Sequence, residues 1–396
     1  MAATLKLGDR QWATKEGSLL AYNDENNNIK PLPFDFTRAS SATRVNQQGL
    51  IETVASGVPR IDYTDANGAL LLEPTRTNLI TQSELLSLTP IKNGTFTDNF
   101  AISPDGTQNA TKLTATDTDP FFYQSVSFSA LSYTASIYVK GIGSSIGKDF
   151  RIVLGAQSTN PKLIIPSEWT RFEYTVTMPS GSYNAGLEIA DPAVIGDEVL
   201  VWGWQVEQGS YPTSYIPTSG SATTRLAEVC DGSGNASAFN DSEGVLMAQI
   251  GALANDGTIK AISVNNGTDD ERVMFYYSSN IISFNVSNSG ISQLSYDYNY
   301  SDVKIPVKVL IKYKVNNFSV FVNGFEVYTD LVGSVPSGLD NLSFDKGDGT
   351  LDFYGKTKEI AYYDEVLTDL ELETLTSYRT WESMVNELNL NVIYNG

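Results

Sequence analysis

The feature that most constrains this chain is the recurrence of short segments in which apolar and polar residues alternate, each closed by Gly, Asn, Asp or Ser. Alternation sends successive side chains to opposite faces of an extended backbone, so each segment reads as a strand buried on one side. Residues 133–140 run Tyr-Thr-Ala-Ser-Ile-Tyr-Val-Lys before Gly141 and Gly143 break the chain. Residues 111–116, 121–128, 150–154, 169–178, 187–190 and 198–207 complete the set between Leu85 and Ile216. Strands repeating every 8 to 12 residues or so, with turn residues between, predict a sandwich or jelly roll.

The texture returns after residue 226. Residues 244–250, 259–264, 272–277, 281–286 and 293–298 are strand-like, and 307–315 with 318–322 form a hairpin over Asn316-Asn317. Asn323-Gly324 is a second tight turn, since both residues tolerate positive φ. Residues 326–328, 339–344 and 358–363 close a second sandwich. Thr368 and Glu371 then form a capping box, and Leu367, Leu370, Tyr378, Trp381, Val385 and Leu388 fall at spacings of 3 and 4, with one gap at Thr374. The residues Tyr378, Trp381, Val385 and Leu388 form a short heptad seam, suited either to lying on the second sandwich or to joining symmetry-related chains. The expected fold is therefore all-β. Two antiparallel β-sandwiches, jelly-roll or lectin-like, occupy 85–225 and 226–366, after an irregular segment 1–84 and before a C-terminal helix and tail, 367–396.

Residues 34–80 differ from the rest. They carry Arg38, Arg44, Arg60 and Arg76, echoed by Arg225, with no sustained period of 2 or 3.6. Gly49, Gly57 and Gly68 separate short apolar pieces, which predicts a few short strands between turns. Such a segment has no stripe of its own to bury, so it reads as a clasp that joins or seats the two β bodies. Its arginines are expected to pair with carboxylates such as Asp35, Glu52, Asp62 and Glu73, through guanidinium forks.

Charge and composition exclude several function classes. Against 26 basic residues stand 46 acidic ones, a formal charge of −20, which repels phosphate backbones and makes nucleic acid a poor partner. No histidine occurs, which removes Ser-His-Asp, Cys-His and His-zinc sites. The lone Cys230 forms no intrachain disulfide. No apolar run reaches a membrane span, and residues 1–11 hold no signal-peptide core, so a soluble chain made in the cytoplasm is expected. Neither a metal nor a cofactor is expected. Asp345, Asp348 and Asp352 with Asn341 offer oxygen ligands but no EF-hand pattern. Asp269, Asp270 and Glu271 are adjacent rather than set across a scissile bond, so no catalytic residue is assigned.

Sugar recognition needs an aromatic face for C–H surfaces and planar polar groups for hydroxyls. Tyr296, Tyr298 and Tyr300 alternate and would stand on one strand face, with Tyr276 as a further candidate. They either pave a glycan site or cover the core or a subunit contact. Trp202 and Trp204 also fall at alternate positions, with Leu200 and Val206, and read as core.

Two motif blocks carry a resemblance. Phe36-Thr-Arg-Ala-Ser-Ser-Ala-Thr-Arg-Val-Asn46, Gly49-Leu-Ile-Glu52, Arg60-Ile-Asp62 and Leu71-Leu-Glu-Pro-Thr-Arg-Thr-Asn-Leu79 form the first. Trp202-Gly-Trp-Gln-Val-Glu-Gln-Gly209 and Tyr211-Pro-Thr-Ser-Tyr-Ile-Pro-Thr218, on to Arg225, form the second. Together they resemble the signature of head-fibre, spike and tail-associated proteins of tailed bacteriophages, crAss-like phages of gut bacteria among them. Residues 133–140 and 169–172 are similar to jelly-roll carbohydrate-binding modules. Residues 317–324 and 355–375 look like a laminin-G or concanavalin-A-like sandwich, although the helix is longer than that family needs.

The resemblance implies a structural, adhesive virion protein, a head fibre or spike or a tail fibre. It would be homotrimeric, attached to capsid or tail proteins, and bind host surface polysaccharide without membrane insertion. The alternatives are a stand-alone carbohydrate-binding protein and a depolymerase that works through Asp or Glu.

Overall fold

A computed structural model describes residues 2–15, 17–23, 29–155, 160–189, 193–388 and 390–393. Residue 190, the end of the strand expected over 187–190, lies outside the described residues. The fold is all-β with short C-terminal helices. It consists of two compact units. The first comprises Met1–Ala39, Ser56–Pro74 and Ala227–Gly396, and the second Ser40–Ala55 and Thr75–Leu226. The expected boundary at residue 84 is thus replaced by an interleaved one, in which the irregular segment is divided between the two bodies.

In the second unit, two five-stranded antiparallel sheets face each other. One runs Gly94–Ala101, Ala110–Ala115, Glu198–Gln208, Ser132–Ile142, Thr170–Thr177, and the other Ile91–Lys92, Phe121–Phe128, Gly181–Ile189, Asp149–Leu154, Leu163–Ile164. Alternate residues fill the core: Ala135, Ile137 and Val139 from one sheet meet Phe150, Ile152 and Leu154, and Ala185, Leu187 and Ile189, from the other.

The first unit is also a sandwich. Its smaller sheet orders Ile291–Asn299, Ile281–Asn288, Arg272–Ser278, Lys260–Asn265 and Asn341–Ser343. The larger has 11 strands, with Leu5–Gly8, Gly355–Tyr363, Glu243–Ala252, Val307–Lys314, Phe318–Val322 and Phe325–Asp330 as consecutive neighbours on its main path. Leu5–Gly8 pairs with Gly355–Tyr363, so the N-terminus is a full sheet member rather than a separate attachment segment. On the larger sheet, Leu246, Ala248 and Ile250 face the core. Their neighbours Val245 and Met247, with Leu310, Phe321 and Ala361, point the other way and are covered by Leu367 and Leu372.

Leu372 belongs to the helix Asp369–Thr376, which starts as expected, because Glu371 accepts hydrogen bonds from the Thr368 amide (2.8 Å) and hydroxyl (2.7 Å). It does not continue as one seam. A second helix, Trp381–Glu387, is capped afresh by Thr380, whose hydroxyl accepts from the Ser383 amide at 3.0 Å. Tyr378 lies in the link and donates to Asn323 Oδ1, while Trp381 is 68 % exposed and Val385 and Leu388 are half-buried. No helix among the described residues is long and apolar enough to cross a membrane.

Candidate functional site

The motif residues come first, because the structure gives most of them a structural role. In the first unit, Arg38, Arg60, Glu73 and Glu228 form a network with side chains at most 3 % exposed. Glu228 accepts from Arg38 Nη1 (2.7 Å), Arg60 Nε (2.7 Å), Arg60 Nη2 (2.5 Å) and the Glu73 amide (2.9 Å). Arg60 Nη2 also donates to Glu73 at 2.8 Å, as expected from the sequence. The flanking carboxylates, Glu73 and Glu228, together hold the Arg60 guanidinium well above its ordinary pKa against the opposing effect of burial. Arg38 binds Glu228, a carboxylate not among those named from the sequence, and Asp62 takes Lys356 at 2.8 Å.

In the second unit, Arg44 pairs with Glu52 at 2.7 Å as expected, across the hairpin of Ala42–Val45 and Ile51–Val54. The two motif blocks meet here. Arg76–Asn78 pairs with Thr223–Arg225, which sets Arg76 opposite Arg225. Asn78 Nδ2 donates to the carbonyls of Trp204 and Ile216, and Thr43 Oγ1 to that of Tyr215. Arg225 donates to Ser214 Oγ at 3.0 Å. Arg76 lies 5.5 Å from the Tyr211 ring centroid and packs on Gly209, where an added Cβ would come within 2.9 Å of its guanidinium. Glu207 is buried, accepts from Gln205 and from the Thr213 amide and hydroxyl, and has its pKa pushed up by that burial.

Trp202 and Trp204 do not share a face. Gly203 takes φ +66° at a bulge opposite Ser136 and Tyr138, and the extra residue switches the alternation. Trp204 enters the sandwich core edge-on to Phe122, while Trp202 turns to the opposite face and packs with Tyr215 and Ile51. Both indoles are thus structural.

The candidate tyrosines separate cleanly. Tyr296, Tyr298 and Tyr300 pack against the core of the first unit, on the same side as Leu294. Tyr296 stacks on Tyr328, with centroids 4.6 Å apart and planes 12° from parallel. The ladder therefore closes the sandwich at its edge and is not a paved outer surface.

Tyr276 faces outward. Its neighbours Phe275 and Tyr277 fill the core, so Arg272, Met274 and Tyr276 project from the opposite face of the smaller sheet. Cross-strand pairing sets Tyr276 between Ala261 and Ser283, and Met274 between Ser263 and Asn285. Ser295 and Asp297 extend this face on one side, Asn341 and Ser343 on the other. Ser263, Asn265, Met274, Ser283 and Ser343 are buried on this face, so its accessible groups are Arg272, Asn285, Asn341, Ser295 and Asp297, around the ring of a half-buried Tyr276 whose hydroxyl has no protein partner among the described residues.

Internal hydrogen bonds fix these groups. Ser283 Oγ donates to Asp297 Oδ1 (2.6 Å), and Arg272 Nε to Asn285 Oδ1 (3.3 Å). Asn341 Nδ2 donates to Asn265 Oδ1 (2.8 Å), and Asn265 Nδ2 to Ser263 Oγ (2.8 Å).

At the Asn341 end the face opens into a cleft of about 510 Å³ lined by Asp231, Asn265, Asp340, Asn341, Ser343 and the backbone of Gly232, Gly267 and Gly347. Asp231 accepts from the Phe344 amide at 3.2 Å. Burial, then the charges of Asp345, Asp352 and Asp35, push its pKa up to about 7. A carboxyl that takes up its proton in this range can donate a hydrogen bond as well as accept one. Sequence reasoning missed this cleft because its residues are ordinary turn formers there, distributed from 231 to 347.

No family model matches the sequence, and no curated protein matches it. Solved structures show partial likenesses at low identity and low TM-score. A carbohydrate-binding module (CBM40) of the Ruminococcus gnavus IT-sialidase, bound to α2,3-sialyllactose, is 19 % identical over 37 % of this chain and 94 % of its own, with a TM-score of 0.32. Domains LG4-5 of the mouse laminin α1 chain are 9 % identical over 62 % of this chain and 86 % of theirs, with a TM-score of 0.26. The tandem CBM22 domains of Paenibacillus barcinonensis Xyn10C are 10 % identical over 72 % of this chain and 97 % of theirs, TM-score 0.25.

Proposed function

We propose that this protein is a non-catalytic saccharide binder that uses the outer face of the smaller sheet in its first unit, and that it serves as an adhesive fibre or spike component of a bacteriophage virion. The observation that carries the binding reading is Tyr276: an aromatic ring with a free hydroxyl, set among fixed hydroxyl, carboxamide and carboxylate groups beside an open cleft. A ring of this kind receives the C–H face of a pyranose, while the surrounding groups take its hydroxyls. The virion reading rests on the two motif blocks, parts of which pair with each other in the second unit.

A glycan array on the purified chain, followed by calorimetry on its best ligand, tests the binding reading. Tyr276→Ala should weaken that ligand at least about tenfold with unchanged unfolding, as loss of one ring contact of about 1.4 kcal/mol implies. Binding by this variant at the parent affinity would remove the site. A stand-alone binder is the second reading, favoured by the internal hydrogen bond that takes Tyr378 out of the proposed oligomer seam. Light scattering after size exclusion decides between them: a trimer supports the fibre, and a monomer at micromolar concentration supports the free binder.

A further inference from the structure

We propose that a second cavity of the first unit binds a singly charged carboxylate, that of an acidic sugar such as a hexuronate. The acidic-sugar identity rests on the saccharide-binding reading above, whereas the carboxylate chemistry does not. The cavity, about 60 Å³, lies where Gln249, Lys308 and Glu359 of the larger sheet meet Asp9, Arg10 and the segment from Tyr378 to Glu387. That space exceeds one water molecule and accommodates a carboxylate group.

The charges around it do not cancel. Arg10, Lys308, Lys358 and Arg379 line the cavity against Asp9, Glu359 and Glu387. The three carboxylates are already engaged. Asp9 holds Lys6 at 2.9 Å and Arg379 at 3.6 Å, Glu359 holds Lys6 at 3.2 Å, and Glu387 accepts from the Gln249 amide. Lys358 is taken by Asp65 at 2.7 Å.

Lys308 and Arg10 are left over. The half-buried Lys308 ammonium donates to the Ser377 carbonyl (2.9 Å) and stands 5.5 Å from the Tyr378 ring centroid, but it has no carboxylate partner among the described residues. Burial, with the nearby Arg379 charge, holds its pKa below the usual ammonium value, although Glu359, Glu387 and Asp9 act to raise it. Arg10 is held at the rim by three successive left-handed residues, Gly8, Asp9 and Arg10, with φ of 83°, 55° and 68°. Strain of this kind persists where the surrounding structure fixes it, and at Gly8 an added Cβ would meet the Lys358 carbonyl at 2.3 Å. In a chain of charge −20, a local excess of positive charge, with Lys308 half-buried and Arg10 and Arg379 exposed at the rim, is the exception that draws anions. One negative charge balances the lining, and the three resident carboxylates disfavour a dianion.

The test is calorimetry on the full chain at low salt with sodium D-glucuronate, D-glucose and inorganic phosphate as probes. Glucuronate should bind, glucose should give no Lys308-dependent heat, and phosphate should be weaker by about tenfold or more. Lys308→Met should weaken glucuronate by about tenfold, the scale of one charge-assisted contact. Arg10→Gly should do the same while keeping the fold, since glycine adopts that φ without strain. No glucuronate binding by the parent, parent-like binding by both variants, or phosphate bound as tightly as glucuronate would each overturn the proposal. Tyr276→Ala should leave glucuronate binding intact. Loss of neutral-glycan binding at the outer face with retained Lys308-dependent glucuronate binding would therefore sink the first reading and support this one.

Discussion

Glu228→Gln is the most informative single substitution, because it changes one charge without changing shape. The wild-type carboxylate accepts four hydrogen bonds, three of them from the guanidinium groups of Arg38 and Arg60 at 2.5–2.7 Å. A glutamine there turns one oxygen into an NH2 donor facing N–H donors, and leaves two buried guanidinium groups with Glu73 as their remaining carboxylate in the network. Removing one partner of a buried ion pair costs about 3–5 kcal/mol, because the surviving charge stays desolvated. For a body of this size each kcal/mol moves the unfolding midpoint by about 2–4 °C, so the first unit should melt roughly 6–20 °C lower.

Differential scanning calorimetry reads this directly, and Glu168→Gln is the control. Its pair with Lys140 is also direct, at 3.0 Å, but Glu168 is 82 % exposed, so the loss should stay within about 0.5 kcal/mol. Adding Arg38→Met to Glu228→Gln should recover part of the loss, because it rebalances the buried charge, with a coupling of about 1–3 kcal/mol. A Glu228→Gln midpoint within roughly 2 °C of the parent would refute the premise that this network is desolvated in the folded protein.

The remaining expectations concern geometry and protonation. Gly203→Ala should destabilise the second unit by about 1–2 kcal/mol, since φ is +66° and the new Cβ meets the Tyr138 ring at 3.2 Å; a urea midpoint equal to the parent's would show the bulge to be relaxed. Tyr296→Ala should cost about 2 kcal/mol through the lost stack on Tyr328 and lost core contact, without altering glycan affinity; weakened binding at full stability would return the ladder to the site. Asp231 has a folded pKa of about 7 against an ordinary 3.8, so the native state holds the extra proton between those values and loses stability as pH rises through them. Asp231→Asn should remove that slope, stabilising the protein relative to the parent above pH 7 by about 1 kcal/mol once partial exposure is allowed for. Identical pH–stability curves for the two would refute it.

The strands of both sandwiches were legible because alternation and turn residues act locally. So were Arg44–Glu52 and Arg60–Glu73, whose partners lie 8 and 13 residues apart. Glu228 was not: it lies 190 residues from Arg38, and no periodicity links them. The tyrosine ladder could have been placed correctly. Leu294 shares its parity, and Ser295 and Asp297 take the other, which marks the ladder side as core. Trp202 was misjudged because a bulge adds one residue and inverts everything after it, and a single glycine is a weak sign of that. The seam failed for a related reason. Thr380 and Ser383 cap a new helix without any Gly or Pro to announce the break.

The position of the buried network in the chain explains why arginines crowd residues 34–80. The second unit is made of two insertions into the first, Ser40–Ala55 and Thr75–Leu226. An insertion is tolerated when the host holds its two ends close together. In the first unit the Arg38 carbonyl accepts from the Gly57 amide (2.8 Å) and from Ser56 Oγ (2.9 Å), which closes the host around the first insertion. The Glu228 amide donates to the Glu73 carbonyl at 3.2 Å, which closes it around the second. Arg38 and Arg60 then reach from one closure to the carboxylates of the other. Four charges spaced far apart in sequence thus fix both junctions as one body, and the second unit shows the same economy, with the Leu226 amide donating to Ser40 Oγ at 2.9 Å between its last and first residues. On this account the motif-block residues are structural in both units, and the Tyr276 face lies outside both blocks.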